Sequence, residues 1–114
     1  MDIEATTHGN FNVLKLVGRI DQTSADRLQS LLAPWVEDCT PQGAALVLDL
    51  SGVDYIGSVG LRALMLAAKQ VKAQQGRMVA AAPTPVVAEV FQVSRFHLML
   101  EVYTDLEAAC TALS

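Results

Sequence analysis

The sequence contains few of the residues that build metal centres, disulfide scaffolds or nucleic-acid surfaces. Its 114 residues include two cysteines and two histidines, and its formal net charge is −4. Cys39 and Cys110 fall in predicted helices far apart in the chain, and neither they nor His8 and His97 have metal-ligand spacing. Lysine and arginine are scattered and form no basic stripe. We therefore expect reduced thiols, no metal or other cofactor, and no contact with nucleic acid.

Long apolar runs are also absent, although 52% of the residues are hydrophobic. Arg62 and Lys69 interrupt the richest apolar segment, whereas a membrane-spanning helix needs about 20 predominantly apolar residues. No secretory leader precedes the first strand-like residues. We therefore expect a cytoplasmic protein without membrane insertion, folded as a single domain over residues 1–114.

The chain is organised around residues 44–75. The run Ala44–Leu50 is short and nearly all apolar, which is typical of a strand buried on both faces of a sheet. The turn Tyr55–Leu61 follows it, and a helical apolar stripe follows the turn. Gly76 lies where a left-handed residue would end that helix. The stripe comprises Leu61, Leu64, Met65, Ala68 and Val71.

The rest of the chain alternates strands and helices. A hairpin is predicted to open it, with a turn at His8-Gly9-Asn10. Thr84 and Pro85 predict a helix start, and Thr104 with Glu107 has the spacing of a capping box. The pattern predicts an α/β domain in which a mixed four- to five-stranded sheet carries about four helices, mainly on one face. The remaining predicted elements are a helix over Ser24–Cys39 that Pro34 should bend or split, and strands at Met78–Ala82 and Met99–Tyr103.

Ser58 stands where the central strand gives way to the helix. A serine at a helix start accepts a hydrogen bond from a free backbone N–H, and the same helix end suits a phosphate. Gly57 and Gly60 leave the hydroxyl open to a partner. Ser58 is therefore either a plain helix cap or a functional serine. An enzyme is not predicted, because Gly57-Ser58-Val59-Gly60 misses the G-x-S-x-G nucleophile elbow by one residue.

Two motifs connect this chain to a known family. The first is Gly18-Arg19-Ile20-Asp21, which precedes an amphipathic helix, and the second runs from Leu48 through the serine turn to Leu61. In this order and at this separation they resemble a STAS domain, and they are most similar to the stand-alone bacterial anti-sigma factor antagonists. The resemblance covers essentially the whole chain.

The resemblance implies a partner-switching regulator of transcription. In that family the unmodified antagonist binds an anti-sigma factor that is also a serine kinase. The kinase phosphorylates a serine at the start of the helix after the central strand, and a PP2C-type phosphatase resets the switch. That serine corresponds to Ser58, and the acidic residue beside it corresponds to Asp21. We expect a monomer or weak dimer whose partner-binding surface comprises Asp21, Thr23, Gly57, Ser58, Val59, Gly60, Arg62 and Thr84.

The serine turn departs from the family pattern. Many members have Asp-Ser-Ser-Gly or Asp-Ser-Thr-Gly where this chain has Gly57-Ser58-Val59-Gly60, so the acidic neighbour and the second hydroxyl are missing. STAS domains also serve as unphosphorylated adaptor subunits, for example on the ATPase of lipid-transporting ABC systems. That alternative requires the same exposed helix and no phosphate.

Overall fold

The computed structural model describes residues 1–114 and contains one five-stranded sheet. Its strands lie side by side in chain order. The first two form an antiparallel hairpin, and every later pair is parallel. The hairpin turns at Gly9 and Asn10, where the positive φ of Gly9 (59°) suits a two-residue loop. The strands are β1 (Asp2–His8), β2 (Phe11–Ile20), β3 (Ala45–Ile56), β4 (Met78–Ala81) and β5 (Val102–Tyr103).

Four helices cover the sheet, three on one face and one on the other. The first three contribute Leu28, Leu64 and Phe91 to one core, whereas the last packs Ala109 and Leu113 on the opposite face. The predicted α/β domain, with a hairpin-opened mixed sheet and helices mainly on one face, is confirmed. None of these helices has the length and apolar character needed to cross a bilayer. The helices are α1 (Ala25–Glu37), α2 (Ser58–Ala73), α3 (Pro85–Ser94) and α4 (Leu106–Leu113), with one 3₁₀ turn at Phe96–Leu98.

β3 is longer than its apolar run because the motif after Leu50 continues the strand through two bulges. In each bulge β3 carries one residue more than β2, first between Asp49 and Gly52 and then between Val53 and Tyr55. At the first bulge the Asp49 carboxylate, 6% exposed, accepts a hydrogen bond from the Ser51 N–H at 3.0 Å. Each extra residue reverses the face of the sheet to which the following side chains point. The β3 residues that reach the helix-covered core are therefore three apart. They are Leu50, Val53 and Ile56.

The end of α2 is built differently from the prediction that Gly76 supplies its left-handed residue. Gln75 has that conformation (φ 62°), and the N–H groups of Gln75 and Gly76 close a Schellman motif on Lys72 and Val71. Gly76 is required for another reason. A Cβ at this position would overlap the carbonyl oxygen of Cys39.

Several predicted boundaries are also wrong by a few residues. α4 is capped by Asp105, not Thr104, because the Asp105 carboxylate accepts from the Ala108 N–H at 2.7 Å. α1 is one continuous helix that includes Pro34, and it ends before Cys39. The last strand is limited to Val102 and Tyr103, since the residues before it form the 3₁₀ turn and the loop that follows.

The two residues that end α2 should respond to substitution in opposite directions. Gln75→Gly should raise the free energy of unfolding by about 0.5–1 kcal/mol, because relief of a left-handed penalty of about 1–2 kcal/mol exceeds the entropic cost of glycine. Gly76→Ala should lower it by about 1–3 kcal/mol through overpacking. Urea unfolding measures both, and a stabilising Gly76→Ala would contradict the close approach to Cys39.

Candidate functional site

The serine turn is fixed to the end of β2 by one backbone hydrogen bond and one close approach. The Gly57 N–H donates to the Ile20 carbonyl at 2.8 Å. Three residues later, a Cβ at Gly60 would lie 2.9 Å from the same carbonyl oxygen and inside contact distance of the Ile20 side chain. The first turn of α2 therefore sits directly on the end of β2, beside the loop that begins with Asp21.

Ser58 is the first residue of α2, not its cap. Gly57 is the N-cap, in extended conformation, and no side chain caps the helix. Ser58 itself is exposed to solvent and follows directly on the carboxyl end of the central strand. The interpretation of Ser58 as a plain helix cap is therefore wrong. Its hydroxyl is free for other chemistry, and it stands at a helix end that favours anions.

The Asp21 carboxylate organises the loop between β2 and α1. One oxygen accepts from the Thr23 N–H at 2.9 Å, from the Thr23 hydroxyl at 2.7 Å and from the Ser24 hydroxyl at 3.3 Å. The other oxygen accepts from Arg19 Nε at 3.0 Å. These bonds, above all the one from the Thr23 hydroxyl, hold the pKa of Asp21 down to about 2. Asp21 is thus ionised at neutral pH, and its charge is paired with Arg19.

Arg19 also stacks on an aromatic ring. Its guanidinium carbon lies 3.9 Å from the centre of the Tyr55 ring, and the second bulge of β3 is what brings Tyr55 into register with Arg19. Tyr55 in turn covers Gly57, where a Cβ would stand 3.4 Å from the ring. Arg19 and Tyr55 therefore connect the loop of Asp21 to the serine turn.

The remaining predicted site residues fall into two groups. Val59 and Arg62 are exposed, whereas Gly60 is buried and acts in packing. Thr84 is half-buried, and its hydroxyl donates to the Val53 carbonyl at 2.8 Å, which ties the start of α3 to β3. None of the predicted site residues lines any of four surface hollows that measure about 210 to 460 Å³. Ser58 is exposed outside these hollows.

Sequence reasoning gave no role to three residues at this edge of the sheet. Arg19 and Tyr55 belong to the two motifs, but their stacking depends on a bulge that no sequence pattern predicts. Val86, on the first turn of α3, is 51% exposed, as Val59 on the first turn of α2 is at 45%. A valine at a helix start carries no sequence signal of exposure.

The fold and the site define a small α/β module with an exposed serine at the carboxyl end of its central strand. Comparison with known proteins gives the family. Residues 2–109 match the STAS domain, and the chain belongs to that family.

Three similar proteins illustrate the relationship. A candidate anti-sigma factor antagonist of Bordetella bronchiseptica, BtrV, is 38% identical over 97 residues, which are 85% of this chain and 81% of that protein. RsfB, an anti-sigma-F factor antagonist of Mycobacterium tuberculosis, is 33% identical over 69 residues, 60% of this chain and 54% of its own. The crystal structure of an anti-sigma factor antagonist from Mycobacterium paratuberculosis superposes with a TM-score of 0.86 at 28% identity, covering 98% of this chain and 92% of that one.

Gly60 should be far less tolerant of substitution than Gly57. Gly60→Ala should lower the free energy of unfolding by about 1–3 kcal/mol, because its Cβ meets the Ile20 carbonyl and side chain. Gly57→Ser is the matched control. Its Cβ has room, and a serine at the N-cap should change stability by only a few tenths of a kcal/mol, in the favourable direction. Equal losses in urea unfolding would contradict the packing described for Gly60.

The Asp21 carboxyl should titrate with a pKa of about 2, and Thr23→Val should raise that pKa toward 3.8. Since the pKa is depressed in the folded state, the corresponding stability is present above pH 3.8 and is lost as pH falls to about 2. Carbon-13 NMR titration of the carboxyl measures the shift. A larger effect from Arg19→Met than from Thr23→Val would contradict the leading role of the Thr23 hydroxyl.

Proposed function

We propose that this protein is a cytoplasmic anti-sigma factor antagonist that binds an anti-sigma factor through the surface around Ser58 and releases it when Ser58 is phosphorylated. The observation that carries the proposal is the exposed Ser58 at the first position of α2, with its N-cap role taken by Gly57. The named activity of the similar Bordetella and Mycobacterium proteins supports the partner class. The role is regulatory, and the chemistry belongs to the partner kinase and to a PP2C-type phosphatase.

Phosphorylation should leave the fold intact. A phosphate adds about −1.5 to −2 charges. At the amino end of a helix, negative charge stabilises by about 0.3–1 kcal/mol. Ser58 follows Gly57 and has no acidic neighbour in the first turn of α2. The domain should therefore remain folded after modification, and the switch must act at the interface.

At the interface the same phosphate is costly. The charges of Arg19 and Asp21 compensate each other, so Asp21 adds little repulsion of its own. Arg62 and the exposed Asp54 contribute one positive and one negative charge near Ser58, so phosphorylation changes a sum of about zero to about −1.5 to −2. An ion that becomes buried without a partner costs several kcal/mol, whereas about 1.4 kcal/mol already weakens binding tenfold.

The adaptor alternative rests on the same surface. Tyr55, Val59 and Val86 are exposed apolar side chains at one edge of the sheet, which also suits a permanent subunit contact. Glycine before Ser58 and valine after it are compatible with that role. In this case Ser58 would be an unmodified contact residue, for example on the ATPase of a lipid-transporting ABC system.

The proposed switch predicts opposite behaviour for two variants of Ser58. Ser58→Asp should fold normally and bind the anti-sigma factor about tenfold more weakly or worse, because it places a charge in the contact. Ser58→Ala should bind normally and resist modification. The measurement uses the anti-sigma factor kinase encoded nearest to its gene, with ATP, followed by mass spectrometry and a binding titration.

Two outcomes separate the candidate functions. Phosphate on Ser58, lost in Ser58→Ala and reversed by the phosphatase, supports the switch. If no phosphate appears and Ser58→Asp binds as tightly as the unmodified protein, the switch is refuted and the adaptor function is favoured. Thermal unfolding of each variant is the control for folding.

A further inference from the structure

Arg62 is the cation best placed to form an ion pair with a phosphate on Ser58. It lies four residues later in α2, and side chains at this spacing are neighbours, with Cβ atoms about 5–6 Å apart. The Arg62 side chain is exposed and takes part in none of the three ion pairs of the structure. No acidic residue lies in the first turn of α2 to compete for it.

Of the other charged side chains near the serine turn, one cation is already paired and one side chain is acidic. Arg19 is held between the Asp21 carboxylate, 3.0 Å away, and the Tyr55 ring. Asp54 is an exposed carboxylate in β3, and it opposes a phosphate. α3 contributes no acidic residue in its first turn, which begins at Pro85. A phosphate on Ser58 would have to break the Arg19–Asp21 ion pair to bind Arg19, whereas Arg62 has no ion pair to break.

Resting on the proposed phosphorylation of Ser58, we infer that Arg62 is the counterion of the phosphate and an additional element of the switch. In the unmodified protein Arg62 faces the partner. In the phosphorylated protein it turns toward the phosphate one helical turn away. A single modification then adds negative charge to the surface and withdraws the cation that the partner had contacted.

The pairing has a measurable signature that needs no partner protein. An exposed ion pair four residues apart on a helix is worth about 0.2–0.5 kcal/mol, and one pKa unit corresponds to 1.36 kcal/mol. Arg62 should therefore lower the second pKa of the phosphate, ordinarily about 6, by roughly 0.2–0.4 units. Because the pair is exposed, the shift should vanish at about 1 M salt, where the Debye length is about 3 Å.

The experiment installs phosphoserine at position 58 during translation, so no kinase is involved. Phosphorus-31 NMR follows the phosphate titration in this protein and in its Arg62→Met, Arg19→Met and Lys69→Met forms. Lys69 is the matched control, since it is a second exposed cation of α2. It lies about 16 Å from Ser58 along the helix axis, beyond the Debye length of about 8–10 Å. Thermal unfolding checks that each form is folded.

Arg62→Met should raise the second pKa of the phosphate by roughly 0.2–0.4 units, with no shift in Lys69→Met. An equal or larger shift from Arg19→Met would overturn the inference and assign the phosphate to Arg19. Equal shifts in all three forms, or no shift in any, would also overturn it. None of these results depends on whether a kinase recognises Ser58, so failure of the kinase assay and failure of this inference are separate findings.

Discussion

The contact between the first turn of α2 and the end of β2 is the constraint on which the site depends. The Ile20 carbonyl accepts the Gly57 N–H and also stands 2.9 Å from where a Cβ of Gly60 would be. Only a glycine permits that approach without displacement of the strand. Because the helix is seated so closely, Ser58 emerges at the surface beside the Asp21 loop, with its backbone position fixed by the sheet.

The two bulges of β3 make this seating possible. They let the strand gain two residues over β2 and still bring Ile56 opposite Ile20 at the end of both strands. They also place Tyr55 opposite Arg19, so that the guanidinium stacks on the ring while it pairs with Asp21. The bulges therefore determine which ring the Arg19 guanidinium stacks on, as well as the shape of the site. The same guanidinium compensates the charge of Asp21.

At this surface, the groups that stabilise the fold are different from the side chains that would contact a partner. The groups that hold the fold near the site are buried or backbone groups, such as Gly60, Ile20 and the Val53 carbonyl that accepts from Thr84. The groups that would meet a partner are exposed side chains, namely Ser58, Val59 and Arg62. Under the proposed function, a change of charge on the exposed set alters binding and leaves the packing beneath it unchanged. This division would let a phosphate act as a switch without unfolding the domain.

Local patterns in the sequence determined the α/β class, the opening hairpin, the helix after the serine turn and the position of Ser58 at its start. Those features depend on apolar periodicity and on turn residues, which act over a few positions. Tertiary structure alone decided the rest. The left-handed residue fell on Gln75 because Gly76 is needed against Cys39, a contact across 37 positions in the chain. The motif after Leu50 forms a bulged strand because β2 lies beside it. The bulges interrupt the alternation of apolar and polar residues by which a strand is recognised in a sequence. The pairing of Arg19 with Tyr55 follows from that register, which no local pattern contains.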